Sequence, residues 1–153
     1  DNTFEAHYAY KSKSAKNQVQ MIKDYNADAL SIAKKLPMNF SGSLDALIGW
    51  AEMTEEELAE AADMSEKTIQ RLRNTEPDNV TIETVMQLCI GMKLPPVLSA
   101  CLMKASGKSF MMTEQHIMYQ FLLNSCYHMS IFDCNEMLTA QGLKPLGRQN
   151  RVS

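Results

Sequence analysis

Apolar residues recur at helical spacing along most of the chain and almost nowhere alternate as strands do. Val19, Ile22, Ala29, Ile32, Ala33 and Leu36 approximate one stripe that Pro37 interrupts, which predicts a helix over residues 14–35. Before it, Phe4, Ala6, Tyr8 and Tyr10 alternate in a way that suits a short strand. Further along, start and stop signals become dense. Thr54 and Glu57 read T-x-x-E, a capping box in which the hydroxyl accepts from the Glu57 amide while the carboxylate reaches back. Ser65 is a second N-cap, Pro95 and Pro96 suit a first turn, and Gly91 and Gly107 are natural stops. These marks predict five short helices, at 43–52, 55–62, 66–73, 82–90 and 96–104. Beyond them Ile117, Phe121 and Leu122 make one apolar stripe, Ser130 with Asp133 offers another cap, and Gly142 ends the last helix before a polar tail from Gly147. The expected fold class is all-α, with a five-helix domain over 41–108, an N-terminal basic arm or helix over 1–40 and a C-terminal helical extension over 109–153.

A chain of 153 residues and 17.2 kDa fits one compact domain, or one domain with a helical extension. Hydrophobic residues at 45% and charged residues at 22% are those of a folded soluble protein. The longest apolar run, Leu94 to Met103, is cut by Pro95, Pro96 and Ser99, far short of the ~20 residues of a membrane span, so no membrane partner is expected. The start at Asp1, with no initiator Met and no signal-peptide pattern, reads as a piece of a longer protein, with residues 1–40 a linker from something upstream. Cys89, Cys101, Cys126 and Cys134 form no CxxC pair and lie in apolar helical patterns, as small buried thiols do in a reducing, cytoplasmic compartment. Nucleotide-binding glycine loops, HExxH and GxSxG are all absent, and His7, His116 and His128 are isolated. No enzyme activity, cofactor or metal is therefore expected.

The most informative segment is 54–74, TEEELAEAADMSEKTIQRLRN: a short helix, a three-residue turn and a second short helix. Leu58, Ala59 and Ala62 of the first would meet Ile69 and Leu72 of the second, with Ala59 the small residue at the crossing. Ile82, Val85 and Leu88 would complete one core, and Met64 would plug it. This segment resembles the helix-turn-helix of the xenobiotic-response-element family, the λ-repressor and Cro type of DNA-binding domain. The resemblance continues through VTIETVMQLCIGMKLPP, which is similar to the family's fourth helix and the start of its fifth. It implies a λ-repressor-like five-helix fold over about 43–104, with Asp63 at the left-handed turn position that family members usually fill with glycine; Asp tolerates that conformation better than most residues.

At about 100° per residue from Glu66, Gln70 falls near 40°, Lys67 near 100° and Arg71 near 140°, opposite the apolar Ile69 and Leu72. Glutamine can pair with adenine and arginine with guanine, while Lys67 can reach guanine or phosphate, so this face carries the donors that major-groove reading needs. The resemblance implies double-stranded DNA as the partner and adds Thr54, Glu55, Ser65, Glu66 and Arg73 to the contacts. It also implies a homodimer, because one short recognition helix reads only a few base pairs. The sequence departs from the family at Glu55, commonly a phosphate-contacting glutamine, at Arg73 and Thr75, often Glu and Gly, and in the acidic loop Glu76, Pro77, Asp78, Asn79. Eleven acidic residues face six basic ones over 41–108, a net of −5. That balance leaves two readings: a transcriptional regulator, in the first instance a repressor, or a protein-interaction module on the same scaffold, toxin-antitoxin-like or fused to a peptidase. Met111, Met112, Met118, Met129 and Met137, with Phe110, Phe121, Tyr127 and Phe132, exceed what two terminal helices bury between themselves. They imply packing on the helix-turn-helix, a dimer or partner interface, or both. Lys11, Lys13 and Lys16 are read as a solvated linker or an arm touching phosphate.

Overall fold

The computed structural model describes residues 15–148, so Phe4, Ala6, Tyr8, Tyr10, Lys11 and Lys13 lie outside the described residues. The chain divides into two compact units, residues 1–35 and 36–153. In the first, helix α1 (Ala15–Lys35) carries Lys34 and Lys35 in its last turn, where the helix dipole favours positive charge. Gln20 Nε2 donates to Asp24 Oδ1 at 2.9 Å one turn on.

The second unit contains α2 (Phe40–Ala51), α3 (Glu55–Ala62), α4 (Glu66–Asn74), α5 (Ile82–Gly91), α6 (Pro96–Ala105), α7 (Glu114–Ser125) and α8 (Ile131–Ala140). Among the described residues every regular element is an α-helix, and none is long and apolar enough to cross a membrane. Helix α2 starts three residues before the expected position. Asn39, its N-cap, makes no side-chain cap bond. Instead Glu76, beyond α4, accepts the N–H groups of Phe40 at 3.0 Å and Ser41 at 2.7 Å, a cap delivered from 36 positions away that no local pattern announces.

Helix α5 is the axis of this unit. Val85 through Gly91 are all buried, so it is enclosed on every side, with α3, α6, α7 and α8 packed around it. Leu58, Ala59, Ile69, Leu72, Val85 and Leu88 lie in the core as expected, whereas Ile82, at the first position of α5, is only partly buried. Gly91 corrects a second expectation in part. The helix does end at it, but as its last residue rather than as a left-handed cap; Met92 follows as the cap, and the positive φ falls on Lys93, at 50°. A Cβ on Gly91 would lie 3.0 Å from both Ala62 Cβ and Leu58 Cδ1, so its missing side chain is what lets α3 lie against α5.

Helix α7 supplies a third correction. Ile117 and Phe121, four apart, point outward at 55% and 47% exposure, while Leu122 belongs to the opposite stripe with buried Tyr119 and Leu123. Tyr119 donates from its hydroxyl to Glu83 Oε2 at 3.1 Å, tying α7 to α5. His116 accepts the Met111 N–H on Nδ1 at 2.8 Å and stacks on Tyr119, a structural arrangement. Cys126 to Met129 form the turn between α7 and α8 rather than helix. Cys89, Cys126 and Cys134 are buried and Cys101 partly so; burial pushes the Cys89 thiol up to about 12 and the Cys134 thiol up to about 11.

Two glycines in helices separate close packing from propensity. Gly49 of α2 is exposed, with nothing within 4 Å of an added Cβ, so Gly49→Ala should stabilise by ~0.5–1 kcal/mol. Gly91→Ala should lose that gain to the squeeze on Ala62, and Gly91→Val should cost ~1–3 kcal/mol in urea denaturation. Equal gains from alanine at both positions would refute the close approach of α3 and α5.

Candidate nucleic-acid interface

Helix α3 begins with the predicted capping box. Thr54 Oγ1 accepts the Glu57 N–H at 3.0 Å and the Thr54 N–H donates to Glu57 Oε1 at 2.9 Å, which holds the Glu57 carboxyl below its ordinary value. It ends at Asp63, in the left-handed conformation (φ 54°, ψ 51°), with its N–H directed to the carbonyls of Ala59 and Glu60. Met64 then turns inward and is buried. Ser65 caps α4, its Oγ accepting the Thr68 N–H at 3.1 Å.

One contact that sequence reasoning missed fixes this turn to the rest of the fold. Gln87, buried on α5, donates from Nε2 to the carbonyl of Ala62 at 2.9 Å and that of Asp63 at 3.3 Å. Carbonyls at a helix C-terminus have no partner within the helix, so this amide both satisfies them and sets where α4 begins. Its glutamine sits mid-helix in an apolar run, which was the available signal.

Helix α4 anchors itself through only two buried side chains, Ile69 and Leu72. Ser65, the exposed N-cap, stands at the helix start on the side of Ile69 and Leu72, while Glu66, Lys67, Gln70 and Arg71 are exposed on the opposite side, as the helical wheel requires. Asn74, near 80° on the same wheel, is exposed there too and was missed; its amide has the same capacity for adenine as that of Gln70. Arg73 is placed differently. Its guanidinium turns back across the domain, with Nη2 at 2.6 Å and Nε at 2.9 Å from Asp45 Oδ1 of α2, and Nη1 at 3.2 Å from Glu55 Oε2 of α3. Asp45, and then Glu55, hold it above its ordinary pKa. Of the expected contacts, therefore, Thr54 and Ser65 sit in the caps of α3 and α4, Glu55 and Arg73 join each other in an ion-pair bridge, and Glu66, Lys67, Gln70 and Arg71 share the outward side of α4. Among the described residues no three His, Cys, Asp or Glu side chains converge as a metal-ligand set.

An exposed polar helix, preceded by a left-handed turn and a helix packed across it, is the arrangement in which a recognition helix enters the major groove. Residues 43–93 match the family model of the Cro/C1-type helix-turn-helix DNA-binding domain. The match begins within α2, takes in the turn and α4, and ends just beyond α5. No curated protein and no solved structure matches the chain. Within the Cro/C1-type domain, α3 and α4 are the two helices of the motif, and the Arg73 bridge ties the recognition helix to α2 and α3 at once.

That bridge has a separable effect. Arg73→Ala should destabilise the domain by about 1 kcal/mol, because three half-exposed charge-assisted bonds are lost and two carboxylates are left adjacent. It should leave discrimination among DNA sequences intact. Denaturation, together with affinities for matched and mismatched duplexes, would check this; a loss of discrimination as large as that of Arg71→Ala would place Arg73 on the bases instead.

Proposed function

We propose that this chain is a cytoplasmic transcriptional regulator that binds duplex DNA sequence-specifically as a two-fold dimer. The observation that carries the reading is the outward face of α4: Lys67, Gln70, Arg71 and Asn74 are exposed in a segment that matches a DNA-binding family. Gln70 and Arg71 read base edges, Lys67 takes phosphate or guanine, and Glu66 either accepts from a cytosine amino group or repels the backbone. Ser65, through its hydroxyl at the α4 N-terminus, and Thr54, at that of α3, stand where phosphate oxygens are favoured. Repression is the simplest output of such a protein, since occupying a site excludes other proteins from it.

Selection of duplexes from a random pool, followed by salt titration of wild type and Arg71→Ala, tests this reading. Arg71→Ala should cost ~1–3 kcal/mol and relax preference at one position. The dependence of affinity on salt should correspond to roughly two to four phosphates per subunit, well below the ~10 of a strongly basic repressor. Sequence-selective binding absent at every ionic strength would transfer the assignment to a protein-interaction module.

The dimer rests on the apolar residues left uncovered in the C-terminal helices. Met112 at 93% exposure lies just before α7, and Ile117 and Phe121 are exposed on it, large apolar side chains of the kind that mark an interaction surface when they lie together. A two-fold interface pairs the same patch from two subunits, and two recognition helices then read half-sites one helical turn apart. Light scattering should give a dimer on the selected duplex, and Phe121→Glu should give a monomer. A wild type that stays monomeric both free and on DNA removes the dimer.

A further inference from the structure

The end of the described chain is held in a specific way that the helix-turn-helix itself does not require. After α8 the backbone turns at Gly142 (φ 75°) and continues as an irregular strap. Gln115 of α7 grips it first, donating from Nε2 to the Lys144 carbonyl at 2.8 Å and accepting the Lys144 N–H on Oε1 at 3.1 Å. Asn135 of α8, buried, does the same two residues on: its Nδ2 donates to the Leu146 carbonyl at 3.1 Å and its Oδ1 accepts the Leu146 N–H at 2.7 Å. The Leu146 side chain is itself buried. The strap then meets the turn before the recognition helix. Gly147, at φ 74°, lies so near Asp63 that a Cβ would come within 2.7 Å of Oδ2, and the Arg148 N–H donates to that same oxygen at 2.8 Å.

At residue 148 this anchoring uses only the backbone N–H, so any residue but proline would allow it. The Arg148 side chain is exposed and, among the described residues, the ion pairs belong to Arg73 alone. Arg148 lines a cleft of about 250 Å³ together with Ser65 and Thr68 of α4 and Thr84 of α5. On the helical wheel Thr68 falls near 200°, at the edge of the outward face beyond Arg71 near 140°. The strap therefore delivers a cation to the flank of the recognition helix, beside the first turn of α5.

Nucleic-acid affinity depends chiefly on the number of phosphates neutralised, and this domain has few cations to offer. Arg73 is committed to Asp45 and Glu55, Lys93 donates from Nζ to the His128 carbonyl, and Lys108 donates to Asn79 Oδ1. On the recognition helix that leaves Lys67 and Arg71, offset by Glu66. We propose that Arg148 is a DNA-contacting residue, which the strap positions to pair with a backbone phosphate beside the bases read by α4. The proposal rests on the DNA-binding reading above and adds to it a contact from outside the matched domain. Fixing the backbone at Asp63 removes part of the entropy such a contact would otherwise lose on binding.

The test uses the full chain with Arg148→Gln and Arg148→Lys, on the duplex selected by the wild type and on an unrelated duplex. Arg148→Gln should bind both duplexes several-fold more weakly, lower the salt dependence by about one phosphate per subunit, and leave the thermal midpoint unchanged; Arg148→Lys should recover most of the loss. Wild-type affinity and salt dependence in Arg148→Gln would overturn the contact while leaving the DNA reading intact, since the wild type would still select its duplex. A loss confined to the selected duplex would also overturn it, in favour of base reading. Failure of the wild type to bind any duplex would overturn both.

Discussion

The closeness of α3 to α5 at Gly91 governs the geometry of the recognition helix. Helix α4 buries too little to hold itself, two side chains in nine residues, so its position is inherited from its neighbours. Because Gly91 has no side chain, Leu58 and the buried Ala62 reach α5 directly. That contact in turn brings the C-terminal carbonyls of α3 within range of the Gln87 amide, which settles the turn. A bulkier residue at 91 would have to push α3 outward, and the turn, the Ser65 cap and the angle of α4 would move with it. Interiors are too closely packed to absorb such a displacement locally.

The acidic balance of the domain takes on a different meaning once each carboxylate is placed. Asp45 and Glu55 bind Arg73, Glu57 closes the α3 capping box, Glu76 caps α2, Glu83 accepts the Tyr119 hydroxyl and Asp63 accepts the Arg148 N–H. More than half of the acids over 41–108 thus act inside the unit, fastening helix ends and neighbouring helices. On the outward side of α4 the one carboxylate is that of Glu66. Net charge sets long-range attraction to DNA and so the association rate and the salt dependence, whereas the face that docks is governed by the groups that stand on it. An acidic domain with a locally basic reading face should bind more weakly than a basic one without being less selective.

What was legible in the sequence was local. The capping box at Thr54, the Ser65 and Ser130 caps and the left-handed Asp63 depend on residues three or four apart, and their chemistry is complete within that span. The outward face of α4 follows from one angle per residue. What escaped depends on partners far along the chain. Glu76 caps α2 across 35 to 36 positions and Arg73 reaches Asp45 across 28, so Arg73 looked like a DNA contact when only its own helix was in view. Gly91 read as a stop because glycine signals one, and only the neighbouring helix reveals its packing role. The stripe of Ile117 and Leu122 failed because five residues on a helix turn the side chain about 140° away, and which of two apolar stripes faces inward is decided by Glu83 and the core beneath Tyr119.

The identity of residue 63 and the presence of a C-terminal extension account for each other. A glycine would enter the left-handed conformation at no steric cost, and aspartate there gives up part of that ease. In exchange its carboxylate stands at the turn as a charged acceptor, and a hydrogen bond to such a group contributes ~1.5–3 kcal/mol, less where solvent reaches it. The N–H that fills it comes from Arg148, 85 positions later, and Gly147, with no side chain, lets the strap come up against the Asp63 carboxylate. With glycine at 63 the strap would lose its last fastening, and its end would be held only as far as Leu146. With aspartate, α7, α8 and the strap become a third support for the turn, alongside Gln87 and the Ser65 cap. A part of the chain outside the family's matched span thereby bears on the position of α4.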